Sequence, residues 1–261
     1  MKKFSLLLLA VFGQLLAAQG TRFIYEVTSR PDSTDHTAVK TELAYLDVFS
    51  DKSVFYPQKR VLRDSVMTRM RQTGNFNFDR ELMSQLRTDL NFIIEKDASG
   101  KVQYKAPIAM DTYQYEEDRP INWNILPETT TVGEYKAQKA ETMFAGRTWY
   151  AWFTTEIPFP DGPYKFKGLP GLIVKAEDKT GSYSFDLLET RKIAEPTTFS
   201  ERRAQTIPVK REVFQKQMAK WREDPMSMMN NSRVRITQIS PPAPRGETQK
   251  ETRRNNPIEL E

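Results

Sequence analysis

The 261-residue sequence contains no cysteine and a single histidine, His36. Without thiols there is no disulfide to staple the fold and no cysteine to carry a lipid. A histidine–cysteine metal site and a cysteine nucleophile are excluded on the same count. His36 stands in a polar stretch between Pro31 and Thr37, where a solvent-facing turn is a simpler reading than a catalytic base. No Gly-x-Ser-x-Gly elbow accompanies it. Long apolar runs are also missing. The one at residues 4–16 is shorter than the ~20 residues a bilayer span needs, so the chain is not expected to span a membrane. No Gly/Ser linker and no internal repeat divides the sequence, which favours one domain with a sizeable core.

The first residues do carry a pattern. Lys2 and Lys3 precede the apolar stretch, and Ala17 and Ala18 then give way to Gln19, the layout of a secretory signal over residues 1–18. Export to the periplasm or cell envelope, or secretion, is the expected destination, with a single domain over residues 19–239. A new amino-terminal Gln19 could cyclise to pyroglutamate. The formal charge is +5, or +3 without Lys2 and Lys3. Basic residues are interleaved with acids, and the densest group, Arg245, Lys250, Arg253 and Arg254, contains Glu247 and Glu251. That is the pattern of a solvated tail and not of a phosphate-tracking surface, so no nucleic-acid partner is expected.

Alternating apolar residues predict strands over residues 21–29, 37–49 and 52–56. Residues 61–90 switch to helical spacing, with Leu62, Val66, Met67 and Met70, then Leu82, Leu86 and Leu90 after a cap at Asp79. A hairpin is expected around Asp97-Ala98-Ser99-Gly100, between strands 91–95 and 102–105. Strands follow at 112–116, 135–144, 147–157, 172–177 and 182–193, joined by short turns that favour antiparallel pairing. Residues 206–222 read as a helix capped by Thr206 with Pro208 in its first turn, and 233–239 as a last strand. The Pro-rich and charged stretch 240–261 reads as a disordered tail. The fold class is therefore α+β and β-dominated: a curved antiparallel sheet or half-open barrel with a few flanking helices.

Few residues announce chemistry. The glycines at 168 and 171 lack the lysine and hydroxyl of a phosphate loop, and Pro170 removes a backbone donor. Glu116-Glu117-Asp118 lacks the alternating spacing of a calcium loop. Met226, Met228 and Met229 suit a packing cluster better than a soft copper site. No metal and no cofactor is expected. Glu156, Asp161, Glu177 and Asp178 could supply the paired carboxylates of a hydrolase only if the fold brings them together.

Two segments stand out. In 147–157, Trp149, Ala151, Phe153 and Ile157 fall on one strand face and Tyr150 and Trp152 on the other, so both faces carry large apolar surface. One is expected to be core; the other lies under a helix or lines a groove for an apolar or peptide-like ligand. In Gly168-Leu169-Pro170-Gly171-Leu172-Ile173, the glycines permit backbone that other residues resist and Pro170 fixes φ near ~−65°. This reads as a rigid strand entry, with Leu169, Leu172 and Ile173 plugging the sheet end. Trp149, Trp152 and Leu169 are the candidate binding residues.

This hexapeptide, the stretch 146–158 before it, Phe23-Ile24-Tyr25-Glu26, Ile121-Asn122-Trp123, Lys139-Ala140-Glu141-Thr142 and the closing Asn256-Pro257-Ile258-Glu259-Leu260 resemble the GLPGLI family. The family comprises secreted proteins of Bacteroidota-type bacteria with no established activity. The resemblance implies an exported protein and assigns no catalytic residue. In that setting Asp32-Ser33-Thr34 and Asp64-Ser65-Val66 fit a short O-glycosylation pattern, making Ser33 and Ser65 candidate sites. The expected function is a non-enzymatic binding or carrier-like module with an apolar groove. The alternatives are an interaction protein docking on an outer-membrane assembly, through an exposed edge or its tail, and an envelope hydrolase using paired acids.

Overall fold

The computed structural model describes residues 20–35, 37–75, 79–197, 199, 206–224, 226 and 255–260. The expected signal, His36, the strand at 233–239 and most of the tail lie outside them. Among the described residues, twelve strands build one sheet. They are β1 (Gly20–Ser29), β2 (Lys40–Val48), β3 (Lys52–Pro57), β4 (Ile93–Asp97), β5 (Val102–Ile108), β6 (Asp111–Glu116), β7 (Asn124–Val132), β8 (Tyr135–Phe144), β9 (Arg147–Thr154), β10 (Leu172–Asp178), β11 (Tyr183–Ile193) and β12 (Thr206–Pro208). Helices α1 (Gln58–Thr73), α2 (Arg80–Gln85) and α3 (Arg211–Glu223) accompany it.

The strand order is β12-β6-β5-β4-β3-β2-β1-β11-β10-β9-β8-β7. Two antiparallel meanders, β1 to β6 and β7 to β11, meet where β1 pairs with β11 from Gly20↔Ile193 to Ser29↔Tyr183. This order forces curvature. From β6 to β7 there are ten neighbour-to-neighbour steps, which at about 4.8 Å each would place the two strands roughly 48 Å apart in a flat sheet. The connecting chain runs only from Glu116 to Asn124, a reach of about 28 Å when fully extended. The sheet must curl until its ends approach, which makes the expected half-open barrel.

Inside the curl sit the alternating faces of the strands: Phe23, Tyr25 and Val27 of β1, Phe55 of β3, Ile94 of β4, Tyr115 of β6, Trp149 and Phe153 of β9 and Phe185 of β11, all buried. A smaller cluster of Val54, Tyr56 and Ile93 lies on the outer face, where Val61 of α1 and Phe199 pack on it. Beside it Arg22 donates to Asp47 at 2.7 and 2.8 Å.

The hairpin and the Asp79 cap form as expected: Asp97 Oδ1 accepts from Lys101 N at 3.0 Å, and Asp79 Oδ1 from Leu82 N at 3.0 Å. Two expectations need correction. Thr206 caps no helix; residues 206–208 pair parallel with Thr112, Tyr113 and Gln114, and α3 begins after Lys210. Pro208 biases Ile207 to extended backbone, and at a sheet edge its missing N–H costs little. Helix α2 stops at Gln85, so Leu86 and Leu90 continue its spacing but are buried from the following loop. There Thr88 Oγ1 accepts from Leu90 N at 3.0 Å and Glu42 Oε1 from Asp89 N at 2.8 Å, side-chain bonds that compete with helix. One strand, β7, falls where none was expected, because it shows no alternation: it is an edge strand, almost wholly exposed, with Pro127 inside it and a register break between Ile125 and Thr129.

Candidate functional site

The chain between β9 and β10, residues 155–171, turns inward and crosses the concave face. Phe166 is its centre, packed edge-on against Trp149 at 4.8 Å, Tyr164 at 5.7 Å and Trp123 at 5.8 Å. Tyr164 also stacks on Phe185 at 6.2 Å. The interior beside Trp149 is therefore filled. Trp149 is 0% exposed and Leu169 1%, whereas Trp152 is half-buried on the outer face, where Lys139 Nζ lies 5.6 Å from its ring and 4.5 Å from that of Tyr150. The three candidate binding residues thus do not line a common groove. Inward and outward positions alternate along β9, and Phe166 takes the space an apolar ligand would need.

The hexapeptide fixes the exit of this inward loop. Gly168 has φ +91° and Gly171 φ +148°, and a Cβ on Gly171 would stand 2.0 Å from the Thr154 carbonyl oxygen. Because Gly171 lets the backbones pass so closely, Leu172 N donates to Ile157 O at 3.1 Å and Ile173 N to Asp161 O at 2.9 Å. Tyr25 Oη donates to Ile173 O at 2.7 Å, and Trp123 Nε1 to Lys167 O at 2.9 Å. Leu169, Leu172 and Ile173 are buried, while Gly168 and Pro170 face outward.

Two buried lysines clamp the loop. Lys96 of β4 donates to Gly162 O at 2.6 Å, Phe166 O at 3.0 Å and the Asp161 carboxylate. Burial lowers its pKa from the ordinary lysine value, with Asp161 opposing the shift. Lys165 is 0% exposed and sits among the rings of Tyr104, Tyr115 and Tyr164 at 4.9–5.4 Å. It donates to Tyr115 Oη at 2.8 Å, to Glu117 at 2.5 Å and to Glu259. Arg119 joins the same two carboxylates at 2.7 and 2.9 Å. Burial pushes the Glu117 carboxyl up, but the Arg119 hydrogen bond and the Lys165 charge more than reverse this and hold it at about 2. Glu259 is lowered by the same balance. An ion cluster this deep persists because each charge is paired and hydrogen-bonded.

Glu259 belongs to the chain's far end. Residues 255–260, expected as part of a disordered tail, lie in a cleft between the β8–β9 turn, the start of β11 and the inward loop. Arg147 donates to Pro257 O at 2.6 Å, to Ile258 O at 3.1 Å and to Asn256 Oδ1 at 2.5 Å. Tyr183 Oη donates to Asn256 O at 2.7 Å, and Asn256 N and Nδ2 donate to Pro31 O at 3.1 Å and Arg30 O at 2.8 Å. Leu260 N donates to Ala145 O at 3.0 Å. Asp178 balances Arg147 at 2.9 Å.

This segment forms one wall of an open groove of about 350 Å³. Tyr104, Tyr115 and Tyr164 floor it, Phe214, Met218 and Arg222 of α3 face the segment, and Glu259 borders it. Tyr104 stacks on Tyr115 at 5.0 Å, and Phe214 lies 5.1 Å from Tyr115. Burial raises the pKa of all three floor tyrosines, so their hydroxyls stay protonated.

The other sequence candidates scatter. Asp161 pairs with Lys96, Asp178 with Arg147, Glu156 accepts from Lys136 N at 3.0 Å, and Glu177 is half-buried beside Lys175. Each acid is answered separately, so these four do not form a paired-carboxylate centre. Glu117 faces cations and Asp118 pairs with Arg211 at 3.1 Å; among the described residues no group of three acidic or histidine side chains could hold a metal. Ser33 is exposed in a turn and Ser65 is exposed on α1. Met226 is exposed, and Met228 and Met229 lie outside the described residues. No described helix is long and apolar enough to cross a membrane. Of this cluster, Glu117 stands out in the sequence only within the acidic run 116–118 set aside as a calcium loop, and no pairing with Lys165, Arg147 or Glu259 is legible there; the available signal was Lys165 between Tyr164 and Phe166, a cation inside an aromatic run.

The loop and its flanking strands are also what known proteins share with this chain. Residues 144–175 match the family described as "Protein of unknown function (Porph_ging)". The match covers the end of β8, β9, the inward loop and the start of β10. No curated protein matches the sequence. Two crystal forms of PNGF-II are similar in structure, with TM-scores of 0.54 and 0.52 at 15% identity over 78% of this chain. The chain spans about a third of PNGF-II, 34% and 33% in the two forms. At that identity the likeness is one of fold: a β-rich, curved sheet.

Proposed function

We propose that the chain is a GLPGLI-type protein exported to the periplasm or cell envelope, where it acts as a non-enzymatic binding module for an apolar or peptide-like ligand. The groove beneath α3 carries this reading. It is the place where the aromatic interior reaches solvent beside polar groups able to orient a ligand, with Arg222 and the Glu259 carboxylate at the rim and Tyr104, Tyr115 and Tyr164 below. The filled interior argues against a carrier that encloses cargo in the barrel, so the ligand would lie at the mouth. Docking through the tail is disfavoured because Asn256, Pro257, Ile258 and Glu259 are already engaged within the chain.

Anilinonaphthalene sulfonate, an apolar aromatic anion, is a suitable probe for dye-fluorescence titration. Saturable binding is expected to weaken at least tenfold in Met218→Glu, which puts a charge in the groove wall, and to be unchanged in Trp152→Ala on the outer face. Equal loss in both variants, or dye affinity untouched by Met218→Glu, would refute the assignment.

A further inference from the structure

The cleft that holds residues 255–260 treats them as a binding protein treats a peptide. Three consecutive main-chain carbonyls, those of Asn256, Pro257 and Ile258, each receive a side-chain donor from Tyr183 or Arg147. The next side chain, Glu259, enters a pre-charged socket of Lys165, Arg119 and Tyr164. The Asn256 side chain is read at both ends, by Arg147 and by the Arg30 carbonyl, and Leu260 N closes the register on Ala145 O. Main-chain donors supply affinity for an extended segment, and side-chain sockets supply selectivity. Arg147 is itself fixed by Asp178, which also accepts from Tyr183 N at 2.7 Å, so the two carbonyl-reading groups are held by the body of the protein and not by the segment they read.

We propose that this cleft is a recognition site for extended acidic peptides of the pattern Asn-Pro-apolar-Glu, with residues 255–260 as its resident, exchangeable ligand. The site goes beyond the groove reading: it adjoins the groove and shares Tyr164 and Glu259 with it, but is carried by the Arg147, Tyr183, Lys165 and Arg119 contacts to the segment. The segment is joined to α3 by residues 224–254, which at full extension could span up to about 100 Å, so leaving the cleft is not prevented by chain length. While it stays, linkage in the same chain makes it a high-concentration competitor against any segment arriving from outside.

The test uses the full chain with a protease site inserted after Ser240. After cleavage, a fluorescent synthetic peptide spanning residues 253–261 is titrated against the nicked protein and read by anisotropy. Saturable uptake is expected, competed by unlabelled peptide, at least tenfold weaker for a peptide carrying Glu259→Gln, and at least tenfold weaker for uncleaved protein. Should loss of the segment unfold the nicked protein, uncleaved chain carrying Glu259→Gln provides the second arm, and it is expected to take up the wild-type peptide more readily than the unaltered chain does. A segment that never exchanges in either arm, or a Glu259→Gln peptide that binds as well as the wild type, would overturn the proposal.

Discussion

Replacing Gly171 by alanine tests whether the hexapeptide is a backbone device. The added Cβ would stand 2.0 Å from Thr154 O and 2.7 Å from Thr154 C, both main-chain atoms, so no rotamer change can relieve the overlap. Relief requires moving the entry of β10 by about 1 Å or more, which stretches Leu172 N to Ile157 O and Ile173 N to Asp161 O beyond hydrogen-bonding range. Two buried bonds at about 1 kcal/mol each, with about 1–3 kcal/mol for a side chain held at φ +148°, give a loss near 4 kcal/mol. Gly168→Ala is the internal control. It shares the positive φ, at +91°, but a Cβ there meets nothing within 4 Å, so only the strain of about 1–2 kcal/mol remains. Urea denaturation of both variants measures the difference directly. Equal midpoints for the two, or a Gly171→Ala loss below about 1 kcal/mol, would refute the reasoning that close passage at Thr154 is why glycine is needed.

Trp149→Ala removes a fully buried indole and should cost about 3–5 kcal/mol, whereas Trp152→Ala on the outer face should cost under about 1 kcal/mol; thermal unfolding separates them. Lys165→Met leaves Glu117 and Glu259 facing each other without their buried cation and should cost about 3–5 kcal/mol in denaturant titrations, part of it recovered by adding Glu259→Gln. Both carboxyls have folded pKa values below the ordinary 4.5, so each contributes stability that is complete above about 4.5 and is lost as the pH falls through its folded pKa, about 2 for Glu117. For Glu117 alone the loss approaches roughly 3 kcal/mol, checked by comparing unfolding midpoints at pH 6 and pH 3 with those of Glu117→Gln.

Much of the sheet was legible because most of its strands are half-buried and bounded by turn residues: residues 135–144 and the start of β9 at Arg147 are read from the strand pattern and its break at Gly146, and the turn at Asp97–Gly100 from its side chains. What hid the rest is physical. β7 lies at an exposed edge and carries no alternation, while Ile207 and Pro208 look like a helix start until a neighbouring edge offers itself for pairing. Phe166 and Tyr164 read as a turn region after β9, and nothing local says that this turn folds inward and fills the barrel. The binding residues followed from that omission: Trp149 and Trp152 were correctly placed on opposite faces, but which face stayed open depended on a segment contributed from elsewhere. The ion cluster was invisible for the same reason, since Lys165, Glu117 and Glu259 meet only when the curled sheet and the chain's end converge.

The groove beneath α3 is tested most directly by methionine-methyl NMR of the folded chain during titration with anilinonaphthalene sulfonate. Met218 lines the groove, and Met143 stands exposed on the strand that carries Lys139, beside the outer face. A saturable shift of the Met218 methyl with Met143 unmoved is the predicted result; a shift at Met143 with Met218 unmoved, or saturable dye binding that moves neither, would contradict it.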